Sequence, residues 1–132
     1  DIIGDHRKIP LPDGYAGCVV YDPPQVLRKV AMGDTKSSVH AIYNLASWNG
    51  DFMVPLTEFH RVLAPGGLLL VKMADEVAKP PWNHVRLVRA AEEVGLVPFD
   101  MVIKFRHPSI RNPAQKQHRA RRRHCFFIVF RR

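Results

Sequence analysis

A chain of 132 residues is enough for one small domain. At 46% hydrophobic and 24% charged, its composition is that of a folded protein and argues against disorder. The net charge of +8 is unevenly placed: nine of the 20 Lys and Arg, and none of the 12 Asp and Glu, fall in residues 106–132, so the remainder carries −1. No apolar run approaches the roughly 20 residues that span a bilayer, and no signal peptide opens the chain, which argues against a membrane partner. Cys18 and Cys125 both lie in apolar runs and read as buried thiols. They exclude a disulfide scaffold and point to the reducing cytoplasm.

Gly17-Cys18-Val19-Val20-Tyr21-Asp22 is a continuous apolar run ending on Pro23-Pro24, the pattern of a buried parallel strand that stops at a loop. Residues 25–50 read either as a helix near Thr35–Ala46 or as a loop over a site. Phe52, Met53, Leu56, Phe59 or His60, and Leu63 then recur at spacings of three and four, with Glu58 and Arg61 turned outward. This predicts an amphipathic helix ended by Ala64-Pro65-Gly66-Gly67. Leu68 to Met73 reads as a second strand broken only by Lys72. A second helix is predicted from about Asn83, its N-cap, to Val94, with Gly95 at the stop and Val85, Val88, Ala91 and Val94 as its apolar face. Strands are predicted at about Leu96–Phe105 and at His124–Phe130, with the polar, basic stretch 107–123 between them. The alternation implies an α/β fold: an open, mostly parallel sheet whose last two strands pair as an antiparallel hairpin. In such sheets ligands bind beyond the carboxyl ends of the strands, here Asp22-Pro23-Pro24-Gln25 and Lys72 to Glu76.

Asp22-Pro23-Pro24 has a specific chemical use. The two prolines stiffen the loop, lack two backbone donors and leave carbonyls facing outward. An exocyclic amino nitrogen on a nucleobase is a poor nucleophile because its lone pair is delocalised into the ring. Accepting both of its N–H hydrogens, at the Asp22 carboxylate and at a proline-loop carbonyl, favours the pyramidal nitrogen that attacks a methyl group. That stabilisation grows toward the transition state. The same four residues also suit a plain turn after a strand.

In order along the chain, Gly4-Asp5, Leu11-Pro12-Asp13-Gly14, Val19 to Pro24, Phe59 to Val71 and the ending His124 to Phe130 resemble class I S-adenosylmethionine-dependent methyltransferases. The likeness is to the amino-methyltransferase branch, the DNA N6-adenine and N4-cytosine methylases. Trp48 to Asp51 and Lys72 to Glu76 are similar to the small phage and prophage type. The resemblance implies a Rossmann-like sheet and S-adenosylmethionine as methyl donor, with Asp22, Pro23, Pro24 and Gln25 at the target amine. It also implies that Asp5, together with Asp22, touches the cofactor. Gln25 stands where this family usually places an aromatic ring that stacks on a flipped base; Tyr21, Tyr43 and Trp48 are the aromatic residues nearby in sequence. The glycine-rich loop and first two strands of the family have no counterpart here. Residues 1–132 are thus expected to form a partial methyltransferase domain, from the third strand onward, whose cofactor site an N-terminal segment or second chain completes.

The acid-free stretch supplies Arg106, Arg111, Lys116, Arg119, Arg121, Arg122 and Arg123, the residue types that neutralise phosphates. DNA is the expected partner. An RNA or tRNA guanine methyltransferase, or a non-catalytic nucleic-acid-binding remnant, would share these features. Lys72 is expected either to reach the crevice mouth or to pair with an acid such as Asp75 or Glu76. His118, His124 and Cys125 lack the spacing of a zinc site, so no metal is expected.

Overall fold

The computed structural model describes residues 4–22, 52–73, 82–105 and 124–132. The expected helix near Thr35–Ala46 lies outside them. The described elements are β1 (Ala16–Tyr21), α1 (Met53–Val62), β2 (Leu63–Met73), α2 (Asn83–Glu93), β3 (Val97–Phe105) and β4 (His124–Arg131). Every element expected within these residues is present, and both helices start within a residue or two of their expected positions.

The strands form one sheet in the order β1-β2-β4-β3. β1 and β2 are parallel, while β4 runs antiparallel to both β2 and β3. The antiparallel hairpin of the last two strands is therefore present. The expectation of a mostly parallel sheet is not met: two of the three described ladders are antiparallel. The reason is that β4 inserts between β2 and β3 instead of adding outside β3, so the one reversed strand contributes to two ladders.

α1 and α2 pack on one face of the sheet. α1 buries Pro55, Leu56, Phe59 and Val62, and Leu56 and Phe59 share one core cluster with Leu69, Val71 and Met73 of β2 and Phe126, Ile128 and Phe130 of β4. Each such side chain contributes about 1.5–3 kcal/mol on full burial, so this three-way cluster dominates the described core. α2 is rotated from its predicted orientation. Asn83, Leu87 and Ala91 form its buried i, i+4 row, with Val88 and Val94 at the margin. Asn83 is not the N-cap: Trp82 holds that position, in the left-handed region at φ 67°, and Asn83 is a buried first helical residue.

β1 departs from expectation in burial. Val19 and Tyr21 pack on the core, but Cys18 is exposed and Val20 is 68% exposed. Pleating sends alternate residues to opposite faces, and among the described residues both helices cover the same face. Cys125 is buried, as expected.

The Ala64 to Gly67 turn lies inside β2. Ala16 pairs with Leu63 and Cys18 with Leu68, so residues 64–67 bulge from the ladder. Gly66 takes φ 77°, and a Cβ on Gly67 would lie 2.8 Å from the Ala64 carbonyl oxygen and 3.2 Å from those of Ala16 and Gly17. Gly67→Ala should therefore push β1 from β2 at a cost of about 1–3 kcal/mol, seen as a melting midpoint lower by at least about 4 °C. An unchanged midpoint would show that the bulge yields freely.

Candidate active site

Since β1, β2 and β3 all run opposite to β4, their carboxyl ends share one end of the sheet. Asp22 follows β1 there, and Lys72 lies near the end of β2. The parallel register that sets Tyr21 beside Val71 brings the next residues together: Lys72 Nζ donates to Asp22 Oδ2 at 2.6 Å. The Asp22 side chain remains 52% exposed while that of Lys72 is half-buried. Lys72 thus reaches the crevice mouth, and its acidic partner here is Asp22; Asp75 and Glu76 lie outside the described residues. Pro23, Pro24 and Gln25 lie outside them too, as do Tyr43, Trp48 and the basic positions Arg106 to Arg123. That basic stretch joins Phe105 to His124, which are paired in the β3–β4 ladder at this same end.

Asp5 lies in a tight turn in which Lys8 N–H donates to its carbonyl at 2.9 Å. Its carboxylate accepts from the Arg7 backbone N–H and from Arg7 Nε, both at 2.9 Å. These hydrogen bonds from Arg7 hold the carboxyl well below the usual carboxylate range. His6 stands 5.5 Å from the Tyr21 ring, centroid to centroid, and Tyr21 stands 4.9 Å from Phe59. The three rings border a cavity of about 310 Å³ whose wall also includes Asp5, Ile9 and Val19. Asp5 and the end of β1 are therefore joined across one cavity. Tyr21 is committed to its inner wall, tilted against the rings of His6 and Phe59.

The segment carrying Asp5 is held by a network that sequence reading missed. Arg61 donates to the carbonyls of Ile9 (3.0 Å) and Leu11 (2.9 Å), to Asp13 Oδ1 (2.6 Å) and to both oxygens of Glu58. Glu58 in turn accepts from Ile9 N–H at 2.6 Å. Glu58 and Arg61 do leave the helix on its outer side, as expected, but meet the 9–13 segment instead of water. The Glu-x-x-Arg spacing was visible; its backbone partners, about 50 residues away, were not. Arg131 and Arg132 are also used internally. Arg131 lies 3.9 Å over the Phe99 ring, and the Arg132 guanidinium donates to the Leu63 carbonyl.

Among the described residues no three His, Cys, Asp or Glu side chains group as metal ligands, and no helix is long and apolar enough to cross a membrane.

No family model and no curated protein matches the chain. Solved structures do. TTHA0409 of Thermus thermophilus, assigned as a DNA modification methylase, superposes with a TM-score of 0.66 at 18% identity, over 98% of this chain and 52% of that one. PvuII DNA methyltransferase, cytosine-N4-specific, gives 0.60 at 20%, over 98% and 47%. An S-adenosylmethionine-dependent methyltransferase of Methanosarcina mazei gives 0.55 at 10%, over 97% and 64%. The fold is that of part of a methyltransferase. The chain spans about half the length of the first two of these structures. TTHA0409 has also been crystallised with S-adenosyl-L-methionine. In this methyltransferase fold, the Asp22–Lys72 pair and the Asp5 cavity lie at and beside the carboxyl end of β1.

Proposed function

We propose that residues 1–132 form the substrate-side part of a methyltransferase domain that transfers a methyl group from S-adenosylmethionine to an exocyclic amino group of a nucleobase in DNA. The observation that carries this reading is the Asp22 carboxylate at the carboxyl end of β1, held at one oxygen by Lys72 2.6 Å away, in a fold shared with DNA methylases. With Oδ2 so held, Oδ1 would accept one target N–H, and a proline-loop carbonyl at Pro23 or Pro24 would accept the other. When bound, S-adenosylmethionine supplies a methyl carbon bonded to a sulfonium, whose bonding pair leaves on sulfur. The amine nitrogen provides the new bonding pair and sheds one proton, and Asp22, already its hydrogen-bond acceptor, stands first in that proton's path. Holding the amine in this way acts on the transition state more than on the bound base.

The described residues fit one edge of the cofactor. The cavity between Asp5, His6 and Tyr21 has aromatic and aliphatic walls with a carboxylate at the side, a combination that suits a heteroaromatic ring carrying an amino group. Asp5 is assigned to that ring and Asp22 to the methyl-bearing end. The rest of the cofactor site is assigned to an N-terminal segment or second chain, a reading that the half-length match to TTHA0409 supports. Gln25 would lie beside the base. The seven basic residues from Arg106 to Arg123 would hold phosphates, because their segment leaves and rejoins the sheet at the Asp22 end. Free thiols at Cys18 and Cys125 suit the cytoplasm.

Labelled S-adenosylmethionine offered with DNA and with RNA tests this reading; label entering DNA amino groups supports it, and label entering RNA alone would move the substrate to RNA. DNA binding should weaken with salt at a log–log slope of about −0.9 per phosphate contact. Replacing Arg121, Arg122 and Arg123 with Ala should then make the slope shallower by about 2–3. An unaltered slope would remove these arginines from the interface.

A further inference from the structure

Among the described residues β3 is the sheet edge farthest from Asp22, and it is exposed along its whole length. Val97, Phe99, Met101, Val102, Ile103 and Phe105 each have close to half or more of their surface open among the described residues. A long apolar sheet edge is a template for another strand; here the Met101 N–H is held by the Asp100 carboxylate at 2.7 Å.

The order of residues on this edge says which strand. Phe99-Asp100-Met101-Val102-Ile103-Lys104-Phe105 is chemically palindromic about Val102. Moving outward from the centre, Met101 matches Ile103, Asp100 matches Lys104 with opposite charge, and Phe99 matches Phe105. We propose that two copies of this chain associate through β3, antiparallel and with the two-fold axis at Val102, to make one continuous sheet. Each Asp100 then faces Lys104 of the partner subunit on one face, and each Met101 faces Ile103 of the partner subunit on the other. Directly opposed residues in antiparallel strands share a face, so both charge pairs form together with both aliphatic pairs. Shifting the axis by one residue, to Met101, would set Asp100 against Val102 and Lys104 against Pro98. In-register parallel pairing would set like charges side by side. A two-fold contact of this kind closes on itself and does not propagate. The register shift between Pro98 and Asp100 limits the straight ladder to residues from Asp100 onward.

The test is charge reversal read by analytical ultracentrifugation of the full chain. The wild type should sediment as a dimer at about 100 μM. Asp100→Lys alone, or Lys104→Asp alone, should raise the dimer dissociation constant by at least about tenfold, since each creates two like-charge pairs. Asp100→Lys combined with Lys104→Asp should restore it to within about threefold of wild type. A second measurement fixes the register independently. Opposed Cα atoms in antiparallel strands lie about 4.5–5.5 Å apart, within reach of a disulfide. Val102→Cys, in a Cys18→Ser background, should therefore oxidise to a covalent dimer, whereas Asp100→Cys in that background should not. A wild type that stays monomeric, a double reversal that fails to restore association, or equal cross-linking at positions 100 and 102 would each overturn the proposal.

Discussion

Methyl transfer should fall by at least about 10²–10³-fold when Asp22 is replaced by Ala or Asn, with the fold intact. The stability side of that expectation follows from exposure. The Asp22 side chain is 52% exposed, and an ion pair in such a position is worth about 0–1 kcal/mol. The chemical side follows from the proposed role, because Asn keeps the shape of Asp22 but offers only one acceptor oxygen and no negative charge to a nitrogen that becomes positive as it is methylated. Lys72→Met should lower turnover less than loss of the carboxylate does. If Lys72 acts through Asp22, the double replacement should be no slower than Asp22→Ala alone. Incorporation of labelled methyl groups, with a melting curve for each variant, checks both points. Full turnover in a folded Asp22→Ala variant would sink the catalytic assignment; multiplicative losses in the double variant would detach Lys72 from it.

The second large effect belongs to stability. Arg61→Ala removes five donated hydrogen bonds at once, two of them to the carbonyls of Ile9 and Leu11. It also leaves Glu58 without the partner that most lowers its pKa. At neutral pH the melting midpoint should drop by about 4–8 °C or more. Because the segment so held also lines the Asp5 cavity, the KM for S-adenosylmethionine should rise. The pH dependence has a definite sign. In the folded chain the Glu58 carboxyl lies below its ordinary value, through the Arg61 hydrogen bonds and then that from Ile9 N–H. Its stabilisation is complete above the ordinary Glu value of about 4.3 and is lost as pH falls through the lowered one. Asp5, lowered by Arg7, acts in the same direction. The gap in melting midpoint between wild type and Arg61→Ala should therefore narrow between pH 7 and pH 3. An equal gap at both values would show that the Glu58 carboxylate takes no part.

Local pattern carried the elements well. The three- and four-residue spacing of Leu56 and Phe59 and the apolar run into Met73 were enough for α1 and β2, because a periodic stripe has one way to be buried. Strand order was harder to read. Nothing in His124 to Phe130 says that it slides between β2 and β3, and that choice made most described ladders antiparallel. Burial of β1 was misjudged because an apolar run cannot tell a covered face from an open one, as Cys18 and Val20 show. In the site, Asp22 and Lys72 were each legible from their strand ends. Their contact joins residues 50 apart and appears only once β1 and β2 are in register. Asn83 was misassigned for a related reason: a polar residue at a helix start suits a cap, yet Trp82 takes the left-handed bend and Asn83 turns inward.

The common direction of β1, β2 and β3 divides the domain into two ends with different tolerance for change. At one end, Arg61 and Arg132 tie the chain to backbone carbonyls, and Gly67 fits where a single methyl group collides with neighbouring strands. At the other end three connections depart: 23–51 after β1, 74–81 after β2 and 106–123 after β3. Lengthening these connections, the first of them beyond Gln25, leaves every described strand pairing in place. New target preferences could therefore be explored by grafting connections at that end, with the opposite end serving as a fixed chassis.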